Sequence, residues 1–541
     1  MDFDWANAYP SQRSPVFARN VVATSHPLAA QAGLRILQQG GNAVDAAITT
    51  AACMTLVEPC SNGLGSDAFA LVWDGAQLHG LNASGAAPQG LRRADYGDSP
   101  IAPRGWGAVT VPGAVAGWVA LHRRFGRLPF AELMVPAIEI AERGYAVPVG
   151  VADKWARAAQ VPELAGGAGF AEAFLRGSGP GGAPRVGERF AFPAAARSLR
   201  LIAESHGEDF YRGEIAAALE RFAIAGGGAL RAADLAAYQP EWVEPIATAF
   251  RGHRVHEIPP NGQGIAALMA LGLAEQLGLG EHPVDDWRTQ HRLIEAMKLA
   301  FADVYAQVAD PRAMRLTSAE LLDPDYLRRR AALVHPTEAR LQTPGNPVKG
   351  GTIYLTTADA AGLQVSFIQS NYMGFGSGLV LPGYGVSLQN RGACFSTQPG
   401  HPNEIAPGKK PFHTIIPGFL TKHGAAQAEQ AVMGFGVMGG NMQPQGHLQT
   451  LVRLLVYGQN PQAACDAPRW RFNEGLQINA EPHWPAATLQ GLQAAGHRID
   501  GFNDSYQDFG AGQFIWRLGD PAVEGYVAAS DPRRDGAAVG Y

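Results

Sequence analysis

The chain has little charge, few cysteines and no long apolar run, and each shortage removes a class of function. Only 17% of the 541 residues are charged, and 43 Lys plus Arg against 48 Asp plus Glu leave a net charge of −5 without a run of either sign. Nucleic acid and anionic membrane surfaces find no complementary patch in such a chain. No apolar stretch reaches the length of a membrane span. The opening MDFDWANAYPSQRSPVFARN carries two acids and no apolar core of signal-peptide length, so no export signal is read there. Four cysteines, Cys53, Cys60, Cys394 and Cys465, form no C-x-x-C pair. They suit a reducing compartment as small buried hydrophobes, and the cytoplasm is the expected location. The 15 histidines show no ligand-like pairing, and H-E-x-x-H, G-x-S-x-G and G-x-x-x-x-G-K-[ST] do not occur. Metal, serine-hydrolase and P-loop chemistry therefore lose their main signals, and no cofactor is implied.

What is present is an interior: 46% of the residues are hydrophobic and 66 are glycine, the composition of a well-packed globular chain with many tight turns. SHPLAAQAGLRILQQGGNAVDAAITTAACMTLVEP reads as two helices broken at Gly40 and Gly41, with Asn42 capping the second. DAFALVWDGAQLHGLNASG reads as a strand pair turning at Asp74-Gly75. Helices are expected at about Pro112 to Phe125, Pro129 to Arg143 and Trp287 to Val308. The Pro, Gly and Asn cluster from Arg340 to Gly351 is the best candidate boundary. Behind it, Thr352 to Ala358 and Leu363 to Ser370 read as strands joined by the turn DAAG. Interleaved helices and strands favour a layered α/β architecture.

Gly434-Phe-Gly436-Val-Met-Gly439 matches G-x-G-x-x-G, but NMQPQG delays the following helix and no acid closes a second strand, so a dinucleotide site is disfavoured. Backbone N–H groups offered to a ligand remain a reading of that loop. His413 and His447 stand beside glycine-rich segments, where a lone histidine is ordinarily structural. Thr352 follows Gly350 and Gly351 directly. A threonine hydroxyl is a weak nucleophile unless a base lies beside it, and its own α-amine becomes one if the chain is cut before it. Glycines upstream tolerate the backbone geometry that self-cleavage demands. An ordinary loop feeding a strand is the default reading of Gly-Gly-Thr, and these residues alone do not select self-cleavage over it.

GGNAVDAAI, VPGAVAGW, GTIYLTTADAAGLQVSFIQS, FGSGLVLPGYGV, MGGNMQPQGH and ASDPRRDGAAVGY together resemble the γ-glutamyltransferase family of N-terminal nucleophile hydrolases, almost end to end. The resemblance implies a four-layer αββα sandwich, made as a precursor that cuts itself into a large subunit, residues 1–351, and a small one, residues 352–541, which pair with each other. By position it implies Thr352 as nucleophile, Ser370 as the hydroxyl supporting it, and Gly439 and Gly440 as oxyanion donors. The glutamate-binding shell departs from the family. Ser84, Gly85, Ala86 and Ala87 stand where an arginine is expected, Cys394 replaces an acid, Tyr372 replaces an asparagine with Asn371 next door, and His413 and Thr414 replace two serines. Arg391 is a new cation able to fork onto a substrate carboxylate. The implied activity is hydrolysis of an amide in a small carboxylate-bearing substrate, oxamate-like. The alternatives are a glutathione hydrolase or γ-glutamyl transferase proper, and an uncut, non-catalytic binding protein.

Overall fold

The structure, a computed structural model, describes residues 13–97, 99–342, 351–424, 428–500 and 509–541. The boundary expected before Thr352 lies mostly at 343–350, outside the described residues, as does most of the opening stretch.

Fourteen strands build two seven-stranded sheets. In chain order they are β1 (Val16–Ala18), β2 (Val21–Thr24), β3 (Asp67–Trp73), β4 (Leu78–Ala83), β5 (Glu241–Val243), β6 (Ile246–Phe250), β7 (His253–Glu257), β8 (Gly351–Ala358), β9 (Gln364–Tyr372), β10 (Gly418–His423), β11 (Glu429–Val437), β12 (Gly512–Arg517), β13 (Tyr526–Ser530) and β14 (Ala537–Gly540). One sheet runs β14-β2-β8-β9-β3-β4-β5 and the other β1-β13-β12-β11-β10-β7-β6. Helices α1 (Pro27–Gln38), α2 (Ala43–Val57), α3 (Ala114–Phe125) and α4 (Phe130–Arg143) cover the first sheet. Helices α5 (Gly264–Ala274), α6 (Trp287–Gln307) and α7 (Met442–Leu455) cover the second. Phe69, Tyr354, Ile368, Ile415 and Phe419 fill the space between the sheets. The four layers form an αββα sandwich.

Local chemistry explains the elements. Asn42 Oδ1 accepts the N–H groups of Val44 and Asp45, and Asp45 returns a bond to Asn42 N, a reciprocal cap that starts α2. Along β8 the side chains alternate: Ile353 and Leu355 join the helix-side core while Tyr354 joins the inter-sheet core. Thr352 shares the parity of Tyr354. In β11, Gly434 and Gly436 are glycines because the other sheet lies against them: a Cβ on Gly436 would stand 2.4 Å from the Tyr354 ring, and one on Gly434 2.7 Å from Thr356 Oγ1.

One expectation fails. NMQPQG does not delay the helix, since α7 begins at Met442 and contains Pro444 and Gly446. Proline in the first turn removes an N–H that has no intrahelical partner anyway. Gly446 is required because a Cβ there would meet Val437 at 2.5 Å.

Candidate active site

Strands β8 and β9 pair antiparallel with a slip between Gly351 and Ile353. The pairing brings Thr352 beside Ser370, both fully buried, with Oγ1 and Oγ 3.2 Å apart. Ser370 Oγ also accepts the N–H of Tyr372 at 2.8 Å. Tyr372 makes this bond by taking φ +76, a left-handed conformation that costs a non-glycine residue about 1 kcal/mol or more.

A second group reaches the Thr352 hydroxyl: Gln443 Nε2 donates to Oγ1 at 3.3 Å. Gln443 is the second residue of α7, and the turn before it holds Gly439 at φ +121 and Gly440 at φ +60. Both glycines are buried, and among the described residues neither N–H donates a hydrogen bond. Buried backbone donors are rarely left so, and two together make a place for a negatively charged oxygen.

Arg391 is fully buried. Its Nη1 donates to Thr414 Oγ1 at 2.7 Å, and its guanidinium carbon lies 4.5 Å from the centre of the Tyr372 ring. Nε and Nη2 have no partner among the described residues. Two links tie this arginine to Thr352. Tyr372 carries the guanidinium on its ring and bonds Ser370 through its backbone. Gln263 Nε2 donates to both Thr414 O and Gly440 O, at 2.6 and 3.0 Å.

His413 supplies an imidazole rather than a cation. Its Nδ1 accepts from Ile415 N at 3.4 Å, so Nε2 carries the proton and donates to Asp67 Oδ2 at 3.1 Å. Burial, reinforced by the charge of Arg391, holds His413 well below the ordinary histidine range. Burial also pushes the Asp67 carboxyl up to about 7, against the pull of Arg391 and of the Gly85 and Gly113 N–H groups. With those donors on Oδ1 and His413 on Oδ2, Asp67 is engaged by three protein donors.

Of the residues expected at the site, Thr352, Ser370, Tyr372, Arg391, His413, Thr414, Gly439 and Gly440 are linked in this way. Asn371 is not brought to them. One step along β9 from Ser370, its side chain leaves by the opposite face, accepting from Ser66 Oγ at 2.7 Å and donating to Ser387 Oγ at 3.4 Å. Asp67 and Gln263 carry no motif and were missed; Gln443 lies inside MGGNMQPQGH, where only the two glycines were singled out. One possible metal-ligand cluster exists among the described residues, His291, Glu295 and His497, but its groups bond internally: His291 Nδ1 meets His497 Nε2 at 2.8 Å, and Glu295 pairs with Lys298 at 2.6 Å.

The sequence profile described as Gamma-glutamyltranspeptidase matches residues 29–541. The chain is 35% identical over 545 residues to the glutathione hydrolase-like YwrD proenzyme of Bacillus subtilis (strain 168), covering 98% of this chain and 99% of that one. It is 36% identical over 542 residues to the oxamate amidohydrolase proenzyme of Klebsiella pneumoniae subsp. pneumoniae, with the same coverage of both chains. The crystal structure of a cephalosporin acylase from Bacillus halodurans superposes with a TM-score of 0.94 at 46% identity, covering 100% of this chain and 99% of that one.

Proposed function

The chain belongs to the gamma-glutamyltranspeptidase family, and from that premise we propose that it is a self-processing threonine amidohydrolase acting on a small carboxylate-bearing amide, oxamate-like. The precursor cuts itself before Thr352, leaving residues 1–351 and 352–541 as paired subunits. The freed α-amine of Thr352 takes the hydroxyl proton as Oγ1 attacks the amide carbonyl, and the amine then protonates the leaving nitrogen. The unpaired N–H groups of Gly439 and Gly440 hold the oxyanion, a contribution of roughly 3 kcal/mol per donor in comparable sites. Ser370 orients the nucleophile, and water hydrolyses the resulting ester. The four cysteines, all free thiols, support a cytoplasmic setting.

The observation that carries the substrate half is the bare Nε and Nη2 edge of Arg391. A buried guanidinium edge without an acceptor matches the fork of a carboxylate, while Asp67, the acid of this network, is already bonded to His413 and two backbone N–H groups. Thr414, Tyr372 and the neutral His413 hold or surround that arginine. The similarity to a glutathione hydrolase-like relative keeps γ-glutamyl hydrolysis or transfer as the second reading.

Sequencing the N-terminus of the smaller band on a denaturing gel tests the mechanism. Bands of about 37 and 20 kDa are expected from the 57.2 kDa chain, the smaller starting at Thr352, and Thr352→Ala leaves one inactive band. A single uncut band in active wild-type protein refutes the mechanism. Release of a γ-glutamyl anilide with no action on oxamate overturns the substrate assignment.

A further inference from the structure

We infer that Gln443 is a catalytic residue of the ester-breaking half of the reaction, acting on Oγ1 as it leaves; the inference rests on Thr352 being the nucleophile. The orientation of the amide is fixed. Gln443 Oε1 accepts the Ile416 N–H at 2.9 Å, and a backbone N–H can only donate, so the NH₂ end faces Thr352. Gln443 is fully buried and its own N–H is bound to Gly440 O at 3.2 Å. The same residue thus holds the glycine loop and the nucleophile oxygen.

The direction of this bond decides which step it serves. A donor on Oγ1 draws electron density from the oxygen, which opposes attack and assists departure. Two departures occur at this atom. In self-cleavage the hydroxyl attacks the Gly351 carbonyl, the Gly351–Thr352 C–N bond breaks, and the hydroxyl proton passes to nitrogen, leaving an ester on Oγ1. Water then attacks that carbonyl, the C–Oγ1 bond breaks with its electron pair going to Oγ1, and the water proton reaches Oγ1 through the free α-amine. Hydrolysis of the substrate acyl-enzyme repeats the second sequence with a different acyl group. In both, the Gln443 Nε2–H meets the charge developing on Oγ1, as an oxyanion donor does elsewhere. Packing alone does not require an NH₂ group at this place, since the Ile416 bond is satisfied by the other end.

Gln443→Met removes the donor at similar volume. Its kcat should fall about 10–100-fold, with KM falling in parallel because ester hydrolysis limits turnover. A burst equal to the enzyme concentration and an acyl adduct on the small subunit in intact mass should accompany this. Uncut precursor should accumulate in a form that hydroxylamine splits between Gly351 and Thr352. Gln443→Glu keeps the acceptor for Ile416 and donates only when protonated, so its kcat should recover as pH falls, a response that a packing role would not give. The inference is overturned if Gln443→Met keeps kcat within about threefold, or if it loses activity or processing with neither burst nor hydroxylamine-sensitive precursor. Failure of the Thr352 assignment is separable, because it shows in the wild-type small subunit starting at another residue.

Discussion

Replacing Arg391 by methionine sets activity and stability against each other. Arg391 is a fully buried cation whose Nε and Nη2 have no partner among the described residues, and each orphaned donor costs about 1–3 kcal/mol, with more for the charge itself. Against this stand the bond to Thr414 Oγ1 and the stack on Tyr372, about 1.5–3 and 1 kcal/mol respectively, with a long contact of Nη1 to Cys394 Sγ at 3.9 Å adding little. The balance favours removal, by about 1–3 kcal/mol, so the variant should melt about 1–3 °C higher for a chain of this size. Activity should move the other way. Truncating one partner of a buried charge pair costs about 2–5 kcal/mol, so kcat/KM for an anionic amide should fall about 30- to 4000-fold, while a neutral amide of similar size loses far less. Scanning calorimetry and steady-state kinetics on the two substrates read both effects. A variant that melts lower yet handles both amides within about threefold of wild type would show Arg391 to be structural and refute the reasoning.

The raised carboxyl of Asp67 gives a pH dependence. As pH rises through about 7, Asp67 becomes anionic near Arg391 and opposes a second anion, so KM for an anionic amide should climb above neutrality and flatten in Asp67→Asn. Stability carries a linked sign. Because the folded carboxyl titrates above its unfolded value, folding weakens as pH rises from about 4 to 7, by up to about 4 kcal/mol that Asp67→Asn does not lose, a difference read from chemical denaturation across that range. Gly436→Ala drives a methyl group into the Tyr354 ring. It should cost about 1–3 kcal/mol, and an unchanged denaturation midpoint would show that the sheets separate there more easily than their packing implies.

Much of the sandwich was legible because it is written locally. Asn42, Gly40 and the Asp74-Gly75 turn mark element ends by side-chain bonding and positive φ, and the helices α3, α4 and α6 begin and end within about two residues of their expected limits. The Thr352–Ser370 pair was legible from family likeness, and strand parity explains why Asn371 did not follow its neighbour to the same face. What stayed hidden depends on distance along the chain. Asp67 and His413 are 346 residues apart, and Gln443, although inside MGGNMQPQGH, reaches a threonine 91 residues upstream; neither contact has a local signature. The start of α7 was missed for a different reason, since Pro444 is no breaker in a first turn and Gly446 is kept by its close packing on Val437.

Strands from both sides of Thr352 are mixed within each sheet: in one, β2 lies between β14 and β8, and in the other the run β13-β12-β11-β10 lies between β1 and β7. Severing the bond before Thr352 would leave every one of these ladders in place while changing the molecularity of folding. An uncut chain finds its partners within itself; a cut protein, once denatured, would have to find them by collision between two. Its recovery would depend on concentration, and the mature form would persist through the slowness of its unfolding, having been assembled by a route that the cut has closed.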